Sequence, residues 1–540
     1  MHKRLLLKIA FYLLVGFASY FSGKLFLSSI TKLDISDFHV YYYVPKMVFD
    51  AKSPTHPYVS YIPIYPYFFP PASIPLLYPL SLVPFYLSKI IWTLLNFVFL
   101  FSSIYLILKS LNKFNWVYFF ILTLIATNFF PIIFTIEDGQ FNIVLLFIFS
   151  LGLYFFEKNK YFFLTAIFIA LGIVSKISPG ILLFYALIKK KFKLIIISGF
   201  SVVLFFALSE YFVEYKINLY YFRNAISKVS EQSSGFGSRE QSSLALIKRI
   251  NSTLPEKLPK IYQSIILYTF VFLLISLFVY FEFRKPQSKL NNLINISLLS
   301  FIAVTGTGLT WFHQYSILFL PLTIMIFIAV FYLKKHRAYF IFSYLIVLIL
   351  WGIDFFDTFY NQSYLELYMF WAGWVFLINT FYIKANQKYV SNSELISIDF
   401  EQYRLTKYLF IVIFLSFFYG VDLLNINENL KIARDESRVK EINFMSKVLI
   451  KSDVRYKIGE ANSFSNSIRA DRGYILLENN EYQKIQHQMR VLYLDTINNE
   501  IYKYKFKSED GVGFELSAKL ESKEYINRYG EIYSVKYLGK

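Results

Sequence analysis

The residues able to do chemistry are few and sit between long apolar runs. Asp34 and Asp37 follow the first such run, and Glu137, Asp138, Gln140 and Asn142 separate two others. Lys176 marks a polar interruption, Arg223, Arg239 and Arg249 lie in a polar stretch, and His313 follows Trp311. A carboxylate can take a proton from a hydroxyl, and cations can steady a departing phosphate. The set suits a substrate with a phosphate, a lipid tail and a hydroxyl acceptor. Each residue also has a plain reading. An Asp beside an apolar run is commonly a solvated interfacial group, Lys176 can snorkel, and His313 beside Trp311 can belong to an interfacial aromatic belt. Glu137 and Asp138 can cap the helix that follows them. The chain has no cysteine, which excludes structural disulfides, Cys-ligated zinc and iron–sulfur chemistry.

The elements that must position these groups are membrane helices. Of 540 residues, 56% are hydrophobic and 17% charged, with 61 Phe and 45 Tyr, and the mean hydropathy is +0.45. Apolar runs near the length of a bilayer span predict helices at about 5–27, 84–108, 116–135, 141–156, 161–177, 178–188, 194–212, 261–282, 293–311, 316–333, 338–353, 364–383 and 407–424. The net charge of +19 follows the ends of these runs rather than forming a phosphate-binding face. Lys109/Lys113, Lys158/Lys160, Lys189–Lys191/Lys193, Arg284/Lys285/Lys289, Lys334/Lys335/Arg337 and Lys384/Lys388/Arg404/Lys407 fall on one side. The short connections 137–140, 312–315 and 354–361 carry no Lys or Arg. The positive-inside rule then predicts a cytoplasmic N-terminus. Lys176-Ile-Ser-Pro179-Gly180 predicts a broken turn at the outer face.

Three blocks are not apolar. Outer loops are predicted at 28–83, rich in Tyr and Pro, and at 213–260, whose stretch 232–238 reads as loop. The tail 425–540 reads as a small α+β domain outside the membrane, with a helix over 428–451 and alternating strands at 490–495, 501–506 and 532–537. The expected fold is therefore an all-α polytopic membrane domain, 1–424, of about 11–13 spans, followed by this α+β domain, 425–540.

The order of several motifs resembles glycosyltransferase family 87 of the GT-C fold. They are Asp37-Phe-His-Val-Tyr-Tyr42, His56-Pro57-Tyr58, Tyr67-Phe-Phe-Pro70-Pro71, Trp92-Thr-Leu-Leu-Asn96, Gly139-Gln140-Phe-Asn142, Lys176-Ile-Ser-Pro179, Gln241-Ser242-Ser243-Leu244 with Arg249, and Trp311-Phe-His313-Gln314. Where the family often has two adjacent histidines, this chain has His313-Gln314. The resemblance covers roughly 1–335 and leaves the tail without a counterpart.

It implies an inverting hexosyltransferase, of mannose above all, that uses a polyprenyl-phosphate sugar and a lipid or glycan hydroxyl at the outer face of a bacterial plasma membrane. Asp37 is the implied catalytic base, with Asp34 as its control. Lys176 and Arg249 are candidates for the donor phosphate, and His313, Tyr41, Tyr42, Gln140 and Asn142 for positioning donor or acceptor. Tyr67 could stack on the sugar or anchor its loop. No cofactor and no metal are expected, although Glu137-Asp138 could hold a divalent ion, and nucleic acid is not an expected partner. The competing reading is a transporter or flippase of lipid-linked sugars, against which the charges gather at one face rather than at the midplane.

Overall fold

An apolar chain can cross lipid only where its backbone pairs with itself, so helices dominate. The computed structural model describes residues 2–32, 37–50, 69–213, 215–225, 241–253, 258–284, 290–306, 310–333, 335–354, 367–386, 426–463, 475–478 and 501–538. Asp34, Tyr67, Arg239, the His56-Pro57-Tyr58 motif, the stretch 232–238, the span expected at 407–424 and the strand expected at 490–495 lie outside these residues.

Among the described residues, five helices are long and apolar enough to cross a bilayer: Ile9–Thr31, Phe85–Ser110, Phe192–Phe212, Ile261–Arg284 and Phe312–Phe331. The run expected at 116–135 is not one straight helix. Trp116–Ala126 and Phe130–Glu137 meet at an angle of 70° and together make a possible sixth crossing. The bend falls at Thr127-Asn128-Phe129, where Pro131 stands in the first turn of the second piece and has no N–H to carry the first helix on. Shorter apolar helices lie at Phe162–Ser175, Ser178–Ile188, Asn291–Thr305 and Arg337–Gly352, and Asn142–Lys158 and Tyr368–Ala385 are apolar helices too.

The contacts divide the chain into two units. The first comprises Met1–Leu25, Leu94–Leu208 and Phe222–Phe414. Asn142–Lys158 and Asn291–Thr305 are its interior helices, buried on nearly every face. Phe192–Phe212 and Ile261–Arg284 are far more exposed and equally apolar. A helix apolar all round and little covered by protein is one that faces lipid.

Two lysines that look like membrane-topology charges have a second role here. Lys189 and Lys384 donate to the buried Glu282 carboxylate at 2.6 and 3.2 Å. Asn295 and Asn291 donate to it as well, at 2.6 and 3.1 Å, and Asn295 accepts a bond from Lys384. The Tyr185 hydroxyl accepts from Asn295 at 3.0 Å and donates to Asn292 at 2.7 Å. Four segments are thereby tied at one end of the unit, and every charge has an opposite charge or an amide beside it.

The second unit comprises Phe26–Thr93, Ser209–Tyr221 and Leu415–Lys540. The Tyr/Pro-rich block expected to be loop contains two helices, Asp37–Asp50 and Ser73–Ser81. The tail carries a small α+β fold. A helix, Ile426–Ser452, packs on a four-stranded antiparallel sheet in the order β1 (Gly459–Asn462), β2 (Lys505–Ser508), β3 (Phe514–Lys519) and β4 (Ile532–Tyr537). Phe514, Leu516 and Ala518 alternate inward onto Ile442, Met445 and Leu449. Arg434 and Arg438 both reach Glu521, each at 2.6 Å, and close this domain's edge.

Replacing Glu282 by Ala leaves the buried Lys384 ammonium and the largely buried Lys189 ammonium without their carboxylate. A loss of about 3–5 kcal/mol is expected, against about 1 kcal/mol or less for the exposed pair Lys440–Glu436. Thermal unfolding of the purified protein in detergent measures both, and equal losses would remove the structural role given to Glu282.

Candidate functional site

The candidate residues of the first unit sit where helices break. The helix Phe130–Glu137 ends through Gly139, which takes the positive φ of 69° that a left-handed turn requires. The Gln140 N–H then bonds the Thr135 carbonyl at 2.8 Å and the Gly139 N–H bonds the Ile136 carbonyl at 3.2 Å. These two bonds are the Schellman closure of a helix end. They turn the chain so that Asn142 opens the next helix, with Gln140 and Asn142 both buried. The Glu137-Asp138 pair therefore stands at the C-terminal end of one helix and does not cap the N-terminus of the next.

Lys176 stands at the second break. The helix Phe162–Ser175 stops there, a three-residue turn Ser178–Gly180 follows, and Ile181–Ile188 resumes. The broken turn expected from Pro179 is present. It packs close, because a Cβ on Gly172 would stand 2.7 Å from Pro179 Cγ and 3.0 Å from Ile148 Cδ1. The Gly172 carbonyl accepts the Lys176 N–H at 2.6 Å, so the same glycine fixes the turn and the lysine backbone.

The third break lies between the helix Asn291–Thr305 and the span Phe312–Phe331, whose first seven residues, Phe312–Leu318, form a tight 3-10 helix that runs on into Phe319–Phe331. It joins the other two. Lys176 Nζ donates to Asn142 Oδ1 at 2.8 Å, and Asn142 Nδ2 donates to the His313 carbonyl at 3.3 Å. The Thr135 hydroxyl donates to that same carbonyl at 3.0 Å. The His313 ring is buried beside Trp311, Phe312 and Phe134, the last nearly parallel at 6.3 Å. Its Nδ1 has no hydrogen-bond partner among the described residues, an uncommon state for a buried nitrogen and one that a bound hydroxyl or phosphate would relieve.

The fourth motif lies against the third. The Gln241 N–H bonds the Thr310 carbonyl at 2.6 Å, and Tyr315 donates its hydroxyl to the Gln241 carbonyl at 3.1 Å. Ser242 Oγ accepts the Ala245 N–H at 3.0 Å and so caps the helix Ser243–Thr253. Arg249 is half-buried on that helix rather than in an open loop. Gln140, Asn142, Lys176, His313 and the Gln241-Ser242-Ser243 segment are thus brought into one connected cluster, whose functional chemistry is a cation, three amides and an imidazole.

Residues 67–305 match the model of glycosyltransferase family 87. That family indicates a glycosyltransferase, and the match takes in the Gly139–Asn142, Lys176 and Gln241–Arg249 motifs. Asp37–Tyr42 and Trp311–Gln314 lie outside the matched residues. Nothing in the match speaks for a carrier. No curated protein and no solved structure matches the chain.

Asp37, Tyr41 and Tyr42 belong to the second unit. Asp37 opens the helix Asp37–Asp50, half-buried, where the positive helix end favours its charge. Tyr41 packs edge-on to Phe69 and Trp92, at 5.1 and 5.9 Å. Tyr42 donates its hydroxyl to the Val83 carbonyl at 2.9 Å, and its own carbonyl accepts from Ser81 at 2.6 Å. Both tyrosines therefore hold their helix in place. Thr135, Thr310 and Tyr315 escape a reading of the sequence, although each lies within four residues of a motif. The usable signal is a polar side chain placed just where an apolar run breaks.

Gly172→Ala is expected to push Pro179 outward and displace Lys176. Glycosyl transfer should fall about tenfold or more, with about 1–3 kcal/mol of stability lost to overpacking. Gly180→Ala is the control, because its Cβ meets only Ile173 at 3.8 Å and beyond. Comparable losses in both would show that the close approach is not what holds the turn.

Proposed function

We propose that this glycosyltransferase moves a hexose, mannose above all, from a polyprenyl-phosphate donor to a hydroxyl of a lipid or glycan acceptor at the outer face of a bacterial plasma membrane. The observation that carries this reading is the joining of Asn142, Lys176 and His313 by hydrogen bonds, since these are the residues of three separate family-like motifs. The exposed apolar helices support a lipid-borne substrate, and the alternation of basic and uncharged connections supports the N-terminus inside and the tail outside.

In this reading Asp37 takes the proton of the acceptor hydroxyl. The acceptor oxygen bonds to the anomeric carbon as the bond from that carbon to the phosphate oxygen breaks. The electron pair leaves with the lipid phosphate, so one negative charge moves from the carboxylate to the leaving group. Attack from the face opposite the phosphate inverts the anomeric centre, as in other inverting sugar chemistry. The phosphate departs without a strong general acid, and positive charge is what its departure needs. Lys176 and Arg249 supply that charge, and His313 orients a hydroxyl or a phosphate oxygen through its buried ring. Gln140 and Asn142 act from the helix start, Asn142 by holding the Lys176 ammonium. No metal is assigned a role.

Transfer of labelled sugar from polyprenyl-phosphate mannose in membranes tests the assignment. Asp37→Asn should lower the rate by about 10²- to 10⁴-fold, the usual contribution of a general base. Asp34→Asn should stay within about threefold of wild type, well short of that loss. Full activity in Asp37→Asn together with loss in Asp34→Asn would move the base to the other carboxylate.

A further inference from the structure

We infer that Lys89 is a positioning residue for the Asp37 carboxylate, holding it ionised and aimed from the first turns of the helix Phe85–Ser110. This rests on the reading of Asp37 as the base. Phe85, Lys89 and Trp92 follow one another at spacings of four and three and so share one face of that helix. All three meet Phe38, the residue next to Asp37. Phe85 lies 5.4 Å from the Phe38 ring, Trp92 stacks on it at 6.4 Å and 29°, and Lys89 Nζ stands 5.3 Å from its centre. Tyr41, one turn further on, meets Trp92 as well. The start of the helix Asp37–Asp50 is therefore docked in one register, with Lys89 between the two aromatic contacts.

Lys89 is only 1% exposed. An ammonium so deeply buried requires negative charge close by, and an aromatic face supplies only part of the compensation. Among the described residues the carboxylates of the docked elements are few. Those of the tail helix that Arg434 brings onto Tyr86, with Glu521, are engaged: Asp435 by Arg438, Glu521 by Arg434 and Arg438, Glu436 by Lys440, and Glu441 by Tyr504. Ser73–Ser81 and Phe85–Ser110 contain no Asp or Glu, and Asp37–Asp50 has one at each end. At 1.5 Å of rise per residue, Asp50 is about 20 Å from the end that Lys89 meets. Asp37 is at that end. The other charged or titratable groups nearby have their own places. His39 lies against Phe85 at 4.5 Å, Lys46 over Tyr42 at 5.6 Å, Arg434 over Tyr86 at 5.7 Å, and Lys32 closes the first helix, where its N–H bonds the Ser28 carbonyl.

A cation beside a carboxylate favours its ionised form, so removing it raises the pH at which the carboxylate becomes a base. With polyprenyl-phosphate mannose as donor, Lys89→Met should lower transfer at neutral pH. The acidic limb of its pH–rate profile should move up by about one to three pH units. Lys89→Arg should restore the limb to near its wild-type position. An unmoved limb in an active Lys89→Met protein would overturn the inference. Thermal unfolding of the full chain in detergent gives a readout independent of catalysis. In an Asp37→Asn background Lys89→Met should cost little further stability, and fully additive losses, or coupling to Asp34→Asn in place of Asp37→Asn, would also overturn it. Should Lys89→Met alone not fold, the double variant decides, since recovery of folding with Asp37→Asn supports the pair and continued failure rejects it. If Asp37→Asn keeps full activity, the base assignment fails by itself, and the unfolding cycle still tests the pairing.

Discussion

A backbone N–H or carbonyl in an apolar surrounding must find a partner within the protein, and the first unit is organised around that constraint. Its long helices meet it internally. Its breaks do not, and the motif residues cluster at the breaks. Thr135 and Asn142 satisfy the His313 carbonyl, Tyr315 satisfies the Gln241 carbonyl, and Gln241 satisfies the Thr310 carbonyl. The same interactions leave Lys176, the Asn142 amide and the His313 ring in fixed places. Polar residues are admitted here first as partners for broken backbone, and the clustering of the motif residues follows from that pairing.

Much of this was legible in the sequence, because hydropathy and helix-breaking residues act locally. The bounds expected for 84–108, 141–156, 261–282 and 338–353 fall within a few residues of the observed helices, and Pro179 announces its turn correctly. The Tyr/Pro-rich block misled for an equally local reason. Proline counts as a breaker, yet Pro75 stands in the first turn of Ser73–Ser81, where its missing N–H costs nothing, and Pro45 lies inside Asp37–Asp50. That helix is held by side chains from Phe85 and Trp92, tertiary contacts that no local rule contains. In the tail, β4 was legible from its alternation. The strand Gly459–Asn462 was not, because Gly-Glu-Ala-Asn has no strand-forming residue and takes its place from pairing with Lys505–Ser508.

The site divides in the same way. Residue types and their order suggested Asn142, Lys176 and His313 as separate candidates, and a hydrogen-bonded path between them is a property of the fold. Tyr41 and Tyr42 look equally suited to a sugar face; in the fold the Tyr41 ring packs on Trp92 and Phe69, and the Tyr42 hydroxyl donates to the Val83 carbonyl. A tyrosine has the same amphipathic chemistry in either setting. Only its partners decide which role it takes.

Lysines in apolar segments make the same point with charge. Sequence alone assigns Lys189 and Lys384 to topology, and it absorbs Lys89 into a span because four methylenes add to the apolar count. In the fold, Lys189 and Lys384 share one carboxylate, so that cluster is compensated within itself and serves to tie helix ends together. Lys89 is as buried as Lys384 but lies over the ring of Phe38, the chain neighbour of the acid that begins a family-like motif. Burial of an ammonium is expensive in either place. In the first it is offset by an ion network that fastens four segments. In the second the rings supply only part of the compensation, and a buried cation beside the start of a motif is the kind of cost that functional sites carry.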